Sequence, residues 1–395
     1  MSAYKKGVRF RIYPNNKQKT HIAKTLGCCR LVYNKARFMR EESYKTTGKG
    51  INYTQTSKML TELKHTDEFC FLNEVSGVAL QQSLRDLDSA YTKFFKKLGG
   101  YPKFKSKHES WQSYRIVNQG DKVRIVGKYI KIPVLGMVRI KQSMNIYNIN
   151  NVTIEVSPTG KYYAVINTTF EPESRSNNGC MVGLDVGIKT FLTDSNNNEV
   201  ANPKWLTSSQ HKLRREQRKL SRMIEANISG YTKGSKGGRV PVYKKPLIEC
   251  SNIQKQRKVV AKLHDKVTNQ RDDFLQKLST NIVKENQLIG VEDLNIKGMV
   301  KNHKLAKAVS DASWSKFIKM LEYKATWYGS EVIKVPRFFA SSQTCSCCGF
   351  KNPKVKNLAV RKWTCPVCKT LHYRDYTAAV NILNKAMEIR NSLKA

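Results

Sequence analysis

In the first 170 residues, apolar and polar positions alternate in short runs near both ends, and between these runs apolar positions recur at helical spacing. Residues 4–13 alternate apolar with basic side chains, which predicts a half-buried strand with Arg9 and Arg11 on its outer face. Apolar residues then recur at helical spacing, and predict helices over 15–42, 54–64 and 75–98. Short alternating runs bounded by turn residues fill 112–170. This pattern predicts a small barrel or sandwich interrupted by a helical insertion.

The remaining residues alternate buried strands with long helices, which is typical of a mixed α/β domain. Apolar runs predict strands at 180–185 and 287–294, each with an acidic residue near its end. Between them, residues 205–285 are strongly basic and helical, with a loop rich in glycine and lysine at 232–239. We interpret this region as a basic helical hairpin that crosses a polyanion; the alternative is a solvated, charged helix.

The net charge points to a binding partner. The 395 residues contain 71 Lys and Arg against 30 Asp and Glu, a formal net charge of +41. Such an excess implies a polyanion, and nucleic acid is the first choice. An anionic membrane surface is the weaker alternative, because basic residues occur in every segment and no apolar run has membrane-spanning length.

Aromatic residues lie among many of the lysines, as in the segment 91–107, YTKFFKKLGGYPKFKSK. Lysines neutralise a phosphate backbone while aromatic rings stack on bases, although for any single ring an ordinary core position is the simpler interpretation. The candidate nucleic-acid contacts lie on the first strand, on the loop after the helices and on the basic helix: Arg9, Arg11, Lys103, Lys105, Lys107, Arg214, Arg215, Arg218, Lys219 and Arg222.

Two C-x-x-C pairs, sixteen residues apart, lie near the end of the chain: Cys345, Cys348, Cys365 and Cys368. This spacing is typical of a tetrahedral zinc site with four cysteine ligands, which is closed and therefore structural. Two disulfides are the alternative; they are disfavoured because the start, MSAYKKGVRF, has no signal-peptide pattern and a reducing compartment is expected. Cys347 competes with Cys348, but a C-x-x-C pair followed by Gly349 suits the turn better.

The five cysteines outside this region are scattered along the chain. They are interpreted as small, buried apolar side chains: Cys28, Cys29, Cys70, Cys180 and Cys250.

Three acids lie at the ends of predicted elements: Asp185 after a strand, Glu292 in a strand and Asp375 at a helix start. Clustered carboxylates at strand ends suit hard divalent cations, and two Mg²⁺ ions can promote hydrolysis of a phosphodiester. Each acid taken alone is more simply a cap or turn residue. Asp293 competes with Glu292, and only one of them can face the site because side chains alternate along a strand.

Five segments resemble successive motifs of one protein family. They are GLDVGIKT (183–190), VEDLNIKGM (291–299), SSQTCSCCG (341–349), WTCPVC (363–368) and RDYTAAVNIL (374–383). In this order they resemble the TnpB family of transposon-encoded, RNA-guided DNA nucleases, which are relatives of the type V CRISPR effectors. The N-terminal segments FRIYPNNKQ, CCRLVYNKA and YPKFKSK resemble that family too, so the likeness covers nearly the whole chain.

The resemblance implies an α+β, multidomain fold. Its parts are a RuvC-like nuclease domain of RNase H type with an inserted zinc ribbon of four cysteines, and an N-terminal β-barrel wedge domain that carries a helical recognition insertion. The expected boundaries are 1–14 and 112–172 for the wedge, 15–111 for the recognition insertion, 180–340 and 372–395 for the nuclease domain, 205–285 for its basic hairpin, and 341–371 for the ribbon.

The resemblance also implies a function with its partners. A guide RNA from the transposon end would bind the basic surface, the N-terminal domains would read a short target-adjacent motif on double-stranded DNA, and guide pairing would supply specificity. Asp185, Glu292 and Asp375 would hold catalytic Mg²⁺, with Mn²⁺ as a substitute, and the ribbon would hold structural Zn²⁺. One or two copies per RNA fit this scheme, with no membrane association and a cytoplasmic, nucleoid-associated location in a prokaryote.

The chain departs from the family pattern beside the last acid. The family usually has Asp-Arg-Asp-x-Asn before a pair of alanines, whereas this chain has Tyr373 and Thr377 on either side of Arg374-Asp375-Tyr376. Such neighbours can change how the metal or the strand is positioned, and with it activity or metal dependence.

Three rival functions fit less well. A transposase proper orders its acids Asp, Asp, Glu, whereas this chain has Asp, Glu, Asp with the ribbon before the last. An RNA-guided DNA-binding repressor is expected to have lost an acid, and all three are present. A zinc-ribbon transcription factor explains the charge and the cysteines but not the acids. A transposition accessory protein is a further alternative.

Overall fold

The computed structural model describes residues 3–107, 111–141, 144–172, 179–234, 237–357 and 359–394, apart from the side chains at 304 and 394. They form two compact units, Met1–Glu171 and Pro172–Ala395. Most of the linker predicted over 171–179 lies outside the described residues, as do two positions of the loop predicted over 232–239.

The first unit contains an antiparallel sheet of seven strands. They are β1 (Tyr4–Tyr13), β2 (Gln112–Val117), β3 (Arg124–Val126), β4 (Tyr129–Ile132), β5 (Gly136–Lys141), β6 (Ile149–Val156) and β7 (Tyr162–Phe170), in the order β2-β6-β7-β1-β5-β4-β3. The N-terminal strand β1 is central, with β7 on one side and β5 on the other.

The edges of this sheet do not close by strand pairing. Among the described residues, β2 and β3 each pair with one neighbour only, so strand pairing does not close the sheet for which a small barrel or sandwich was predicted. The side chain of Asn118 bridges the gap instead. Its amide donates to Val123 O at 3.1 Å and to Ile149 O at 2.9 Å, and its oxygen accepts from Val123 N.

Three helices and a short 3-10 helix lie between β1 and β2. They are α1 (Asn16–Thr47), α2 (Tyr53–His65), the 3-10 helix Asp67–Glu74 and α3 (Gly77–Phe95). A capping box of Asn15 and Gln18 begins α1. The helix ends at Thr47, five residues after the predicted stop, and is followed by Gly48 with a φ of +66°. Helices and sheet share one core, in which Ile12, Val32 and Leu84 are each 0% exposed.

The second unit contains a mixed sheet of five strands and two small hairpins. Its strands are β8 (Met181–Val186), β9 (Thr190–Asp194), β10 (Glu199–Ala201), β11 (Ile228–Lys233), β12 (Arg239–Tyr243), β13 (Leu288–Glu292), β14 (Glu331–Val335), β15 (Lys362–Thr364) and β16 (Leu371–Tyr373). The main sheet has the order β10-β9-β8-β13-β14. In it, β8, β13 and β14 run parallel, and β9 and β10 continue as an antiparallel meander.

Six helices complete this unit in the described residues. They are α4 (Trp205–Glu225), α5 (Ser251–Glu285), α6 (Ile296–Lys301), α7 (His303–Ala312), α8 (Trp314–Tyr328) and α9 (Arg374–Lys394). The sequence did not predict α6 and α7. The chain between α4 and α5 forms the hairpin β11–β12 where a loop was predicted.

The two faces of the main sheet carry different helices. On one face, Leu184 and Val291 pack with α5 and α8 around Phe317, which is fully buried. On the other face, α9 covers the sheet, with Ile382 buried against Val335. The strand residues between these core positions therefore point towards α9.

The scattered cysteines divide into two groups. Cys28 and Cys29 are buried in the first core, as predicted. The prediction is wrong for Cys70 and Cys180, which are exposed. Cys70 lies on the outer side of the 3-10 helix, and Cys180 precedes β8. Cys250 is partly exposed at the start of α5. No helix in the described ranges has both the length and the apolar character needed to span a membrane.

Candidate functional site

Two of the predicted acids lie side by side at the carboxyl ends of parallel strands. The pairing of β13 with β8 sets Gly290 opposite Gly183. Two residues further along lie Glu292 and Asp185, one on each strand. Because side chains alternate along a strand, both acids share the face that carries the two glycines.

The glycines let α9 approach this face closely. A Cβ added to Gly183 would lie 2.1 Å from the carbonyl oxygen of Ala379, and one added to Gly290 would lie 2.9 Å from the Cβ of Ala386. Only glycine leaves room for the helix backbone at such a distance. Asp375 lies one turn before Ala379, so the packing of α9 draws the third acid towards the other two.

Asp185 interacts electrostatically with both other acids. Burial raises the pKa of Asp185 well above its ordinary value, and repulsion from Glu292 and Asp375 raises it further, while Arg374 and Arg361 act in the opposite direction. Burial also raises the pKa of Glu292. Partly buried carboxylates that repel one another are stabilised by a cation, and their hard oxygen atoms suit Mg²⁺.

Ser341 fixes the orientation of Glu292. Its hydroxyl donates to Glu292 Oε1 at 2.5 Å, and this hydrogen bond lowers the pKa of Glu292 against the effect of burial. Asn381 of α9 in turn donates to the carbonyl oxygens of Ser341 and Thr344, each at 2.7 Å. Both Ser341 and Asn381 are buried. The helix that carries Asp375 therefore also positions Ser341, the residue that orients Glu292.

Replacing Ser341 by alanine should weaken binding of a divalent metal at the acids. The pKa of Glu292 would rise because burial is no longer opposed, so more of this carboxyl is protonated at a given pH. In a Mg²⁺ titration of the purified protein, we expect the apparent dissociation constant at these acids to rise about threefold to tenfold, the worth of one hydrogen bond to a charged group. The deficit should shrink as pH rises. Ser341→Thr, which keeps the hydroxyl, is the control, and an unchanged Mg²⁺ dependence in Ser341→Ala would refute the role.

Asp293, the rival of Glu292, is engaged elsewhere. The guanidinium of Arg337 pairs with the Asp293 carboxylate at 2.8 Å and donates to its carbonyl oxygen at 3.3 Å. Glu292 is the one of the two acids that contacts Ser341.

The four predicted cysteines come together. Their sulfur atoms all lie within 4.8 Å of one another, and the described residues hold no other group of three or more His, Cys, Asp or Glu so closely spaced. The Sγ atoms of Cys345 and Cys368 are 3.5 Å apart, and those of Cys348 and Cys365 are 3.6 Å apart. Thiolates of a tetrahedral zinc site lie about 3.8 Å apart, so this donor set fits Zn²⁺. Cys347 is exposed and outside the group.

Two similar turns present these sulfurs. Gly349 donates its N–H to Cys345 O, and Lys369 donates to Cys365 O, each at 3.0 Å. Both residues adopt a positive φ, +76° for Gly349 and +59° for Lys369. Glycine adopts this conformation freely, which accounts for the first turn; the second holds it with a lysine.

Two of the predicted basic residues lie on β1 next to aromatic rings. The guanidinium of Arg9 lies 3.7 Å from the Tyr163 ring centre and 4.8 Å from that of Trp111, and it pairs with Glu155 at 3.1 Å. Arg11 lies 5.2 Å from the same tyrosine ring. Trp111 is 43% exposed, so this face of the sheet presents both charge and an aromatic surface.

The other predicted basic residues lie on a loop and on a helix. The loop carries Lys103, Lys105 and Lys107, and α1 holds it in place: Asn34 exchanges two hydrogen bonds with the Lys105 backbone, at 2.9 and 3.0 Å, and Arg37 donates to the carbonyl that precedes Lys103 at 2.8 Å. The basic residues of α4 are all exposed: Arg214, Arg215, Arg218, Lys219 and Arg222.

Several residues of the site were not predicted. Gly183 and Gly290 precede the strand acids by two positions, and a glycine inside an apolar strand is itself a signal of close backbone approach. No spacing or periodicity in the sequence singled out Ser341, Asn381 or His372.

Family models match three stretches of the chain. The OrfB_IS605 model, described as a probable transposase, matches residues 152–303. A Cas12f1-like TNB domain matches 314–382, and the helix-turn-helix domain of the same OrfB group matches 1–49.

Relatives extend this likeness over the whole chain. A protein of Streptomyces pristinaespiralis is 36% identical over 388 residues, which cover 97% of this chain and 90% of the relative. InsQ of Escherichia coli K12 is 30% identical over 392 residues, with 95% and 90% covered. Both bear the name "Putative RNA-guided DNA endonuclease".

Among solved structures, the chain shares the fold of Cas12f1, determined in a complex with sgRNA and target DNA. The match covers 97% of this chain and 99% of that chain, with a TM-score of 0.55 and 13% identity. The fold is thus an α+β fold of the Cas12f type. On the strength of the sequence relatives, the chain belongs to the TnpB family, which confirms the resemblance read from its motifs.

Proposed function

We propose that this TnpB-family protein is an RNA-guided DNA endonuclease. The observation that carries the proposal is that Asp185 and Glu292 share the face of the sheet that α9 covers, and that Glu292 and Asp375 both raise the pKa of Asp185. Relatives over the whole chain are named for this activity. The alternative is that each acid is only a cap or turn residue. That alternative would not require α9 to pack closely over Gly183 and Gly290, the glycines two positions before the strand acids.

The proposed domains follow the sequence boundaries. The five-stranded sheet with α9 supports a RuvC-like nuclease domain over 180–340 and 372–395, and the four-cysteine group supports a zinc ribbon over 341–371. The seven-stranded sheet supports the wedge domain, and the helices between its first two strands support the recognition insertion over 15–111.

The metals have distinct proposed ligands. Asp185, Glu292 and Asp375 would hold Mg²⁺ or Mn²⁺, and the four cysteines Cys345, Cys348, Cys365 and Cys368 would hold Zn²⁺. Bound Mg²⁺ would neutralise charge during in-line attack of water on a DNA phosphodiester.

The protein's own side chains prepare the acid site. Ser341 orients Glu292 through its 2.5 Å hydrogen bond, and Arg361 pairs with Asp375 at 3.2 Å. The second contact partly balances the negative charge of the cluster, as the lowering effect of Arg361 on the pKa of Asp185 also indicates. Asn381 keeps Ser341 in register with α9.

Guide RNA and target DNA are the proposed partners of the basic surfaces. Arg214, Arg218 and Arg222 are four residues apart on α4, so they form one exposed stripe on that helix. A stripe of arginines is suited to phosphate groups spaced along a nucleic-acid backbone.

Replacing Arg218 by alanine should weaken nucleic-acid binding in a salt-dependent way. Removal of one phosphate contact is expected to lower the slope of log affinity against log salt by about 1 and to weaken binding by about threefold to tenfold at physiological salt. Fluorescence titration with guide RNA and with a guide–target duplex at several salt concentrations measures both quantities. Lys319→Ala, which removes an exposed charge from α8, is the matched control. Equal slopes for the two variants would contradict the assignment.

The proposed function is tested by reconstitution. The protein is co-expressed with RNA from its own locus, purified, and incubated with Mg²⁺ and a plasmid library that places a guide-matched target beside randomised flanks. We expect RNA to copurify and cleavage to select one flanking motif. Binding of the target without cleavage would favour a repressor, and absence of copurified RNA would contradict the guided mechanism.

A further inference from the structure

His372 lies between the four-cysteine group and the start of α9. It belongs to β16 and is 3% exposed. Its Nε2 lies 3.0 Å from Cys345 Sγ, and its Nδ1 lies 3.3 Å from Thr377 Oγ1. Trp363, directly across the β15–β16 pair, covers the ring with centres 4.6 Å apart. The imidazole is thus held at both nitrogens and on one face.

The hydrogen bonds of His372 are compatible with a metal-bound thiolate at Cys345. A thiolate only accepts, so Nε2 donates to it; in the neutral ring Nδ1 then accepts from the Thr377 hydroxyl. In the charged ring both nitrogens donate, and the hydroxyl oxygen accepts. The link from Cys345 to Thr377 therefore holds in either form of the ring.

Thr377 connects this link to the acid site. It is 1% exposed and lies in the first turn of α9, two positions after Asp375. A second tie joins the same parts, because Asn381 donates to the carbonyl oxygen of Thr344, the neighbour of Cys345. The chain entering the cysteine group is therefore fastened to α9 at two successive residues.

We propose that His372 and Thr377 are positioning residues that couple the zinc ribbon to the helix turn carrying Asp375. Hydrogen bonds to a metal ligand orient that ligand and tune its bond to the metal, and here the donor is itself fixed by α9. The coupling makes an assembled ribbon part of the support for the acid site. The inference rests on the proposed Zn²⁺ and Mg²⁺ sites.

The coupling gives a role to Thr377, one of the two residues at which the chain departs from the family pattern. Its hydroxyl can donate a hydrogen bond to Nδ1 of His372. The side chain is fully enclosed.

Two variants separate the coupling from simple packing. Thr377→Val removes the hydroxyl and keeps the shape, whereas Thr377→Ser keeps the hydroxyl. Thr25→Val, which removes a buried hydroxyl from α1 in the first unit, is the matched control for loss of such a group. Melting temperature and circular dichroism of each purified, full-length protein show whether it folds.

Two measurements that do not require cleavage test the proposal. The first is the rate at which a coloured chelator removes Zn²⁺, together with the visible absorption of the Co²⁺-substituted protein; the second is Mn²⁺ affinity at the acids by electron paramagnetic resonance. For Thr377→Val we expect Zn²⁺ loss about tenfold faster, the usual effect of removing a partner of a metal ligand, a shifted Co²⁺–thiolate band, and Mn²⁺ affinity lower by about threefold to tenfold. Thr377→Ser should match the wild type.

The opposite results overturn the proposal. If Thr377→Val releases Zn²⁺ at the rate of the wild type or of Thr25→Val, the ribbon is not tied to α9 through this residue. If its Mn²⁺ affinity is unchanged, the tie does not reach the acids. Absence of guided cleavage by the wild type would instead count against the proposed function. The Zn²⁺ release rate and the Mn²⁺ affinity can both be measured without cleavage.

Discussion

Replacing Asp185 by asparagine is expected to abolish DNA cleavage while guide-RNA binding stays intact. Asp185 is the acid whose pKa both Glu292 and Asp375 raise, and it shares a face of the sheet with Glu292. Loss of a shared metal ligand removes several kcal/mol of transition-state stabilisation, so we expect cleavage to fall at least about a hundredfold. Plasmid cleavage and RNA binding are measured on the same preparation. Cleavage within about threefold of the wild type would show that the acids are not the site.

The same substitution should stabilise the protein when no divalent metal is present. The pKa of Asp185 is raised in the folded state, so its contribution to stability is present below the unfolded pKa and is lost as pH rises through the folded pKa. At neutral pH the carboxyl of Asp185 is therefore less favourable in the folded than in the unfolded state, a cost that asparagine avoids. We expect the metal-free variant to melt higher than the wild type at neutral pH, with the difference disappearing in acid. Mg²⁺ should raise the melting temperature of the wild type more than that of the variant.

Replacing Gly183 by alanine is expected to disrupt the packing of α9 and, with it, the acid site. The new Cβ would lie 2.1 Å from the carbonyl oxygen of Ala379, and a helix backbone cannot yield as a flexible side chain does. We expect a loss of about 3 kcal/mol or more in the free energy of unfolding, together with loss of cleavage. Gly290→Ala should cost less, because its closest contact is the Ala386 methyl group at 2.9 Å.

A neutral glycine substitution provides the control. A Cβ added to Gly230 of β11 would have no neighbour within 4 Å among the described residues, so Gly230→Ala should leave stability nearly unchanged. Urea unfolding of the full-length proteins measures all three. Equal unfolding midpoints for Gly183→Ala and Gly230→Ala would contradict the close approach of α9 to the sheet.

Strongly periodic segments were predicted well from the sequence. The strand predicted over 4–13 is β1, Tyr4–Tyr13, and the helical region predicted over 205–285 begins with α4, Trp205–Glu225, and ends with α5, Ser251–Glu285. Their patterns are long enough for one period to dominate. The hairpin Ile228–Lys233 with Arg239–Tyr243 was missed because glycine and lysine suggest a loop and because none of the residues in its two strands is buried.

The proposed metal ligands of the candidate site could be predicted from the sequence, but the residues that position them could not. Spacing alone singled out the cysteines, and motif order singled out Asp185, Glu292 and Asp375. Ser341 and His372 are ordinary residues in the sequence. Their roles depend on partners 49 and 27 residues away, the distances in sequence to Glu292 and Cys345, which only the folded chain brings within hydrogen-bonding range.

The basic residues show the limit of reasoning from residue type. Arg9 was chosen for its charge, yet in the fold it pairs with Glu155 and lies over Tyr163. Arg218 of α4 is exposed and has no such ion pair or ring contact in the part of the chain that the structure describes, although its neighbour Arg215 pairs with Glu216 at 3.0 Å. We therefore expect substitutions on α4 to affect nucleic-acid binding more than substitution of Arg9 does.

Reprogramming the guide tests the central claim most directly. The purified complex is assembled with two guide RNAs that share the structured part and differ only in the segment that pairs with DNA, and each complex receives both matching plasmids with Mg²⁺. If the protein is an RNA-guided nuclease, each complex cuts only the plasmid that matches its guide, and Asp185→Asn cuts neither. Cleavage that ignores the guide, or no cleavage by the wild type in either pairing, would contradict the account.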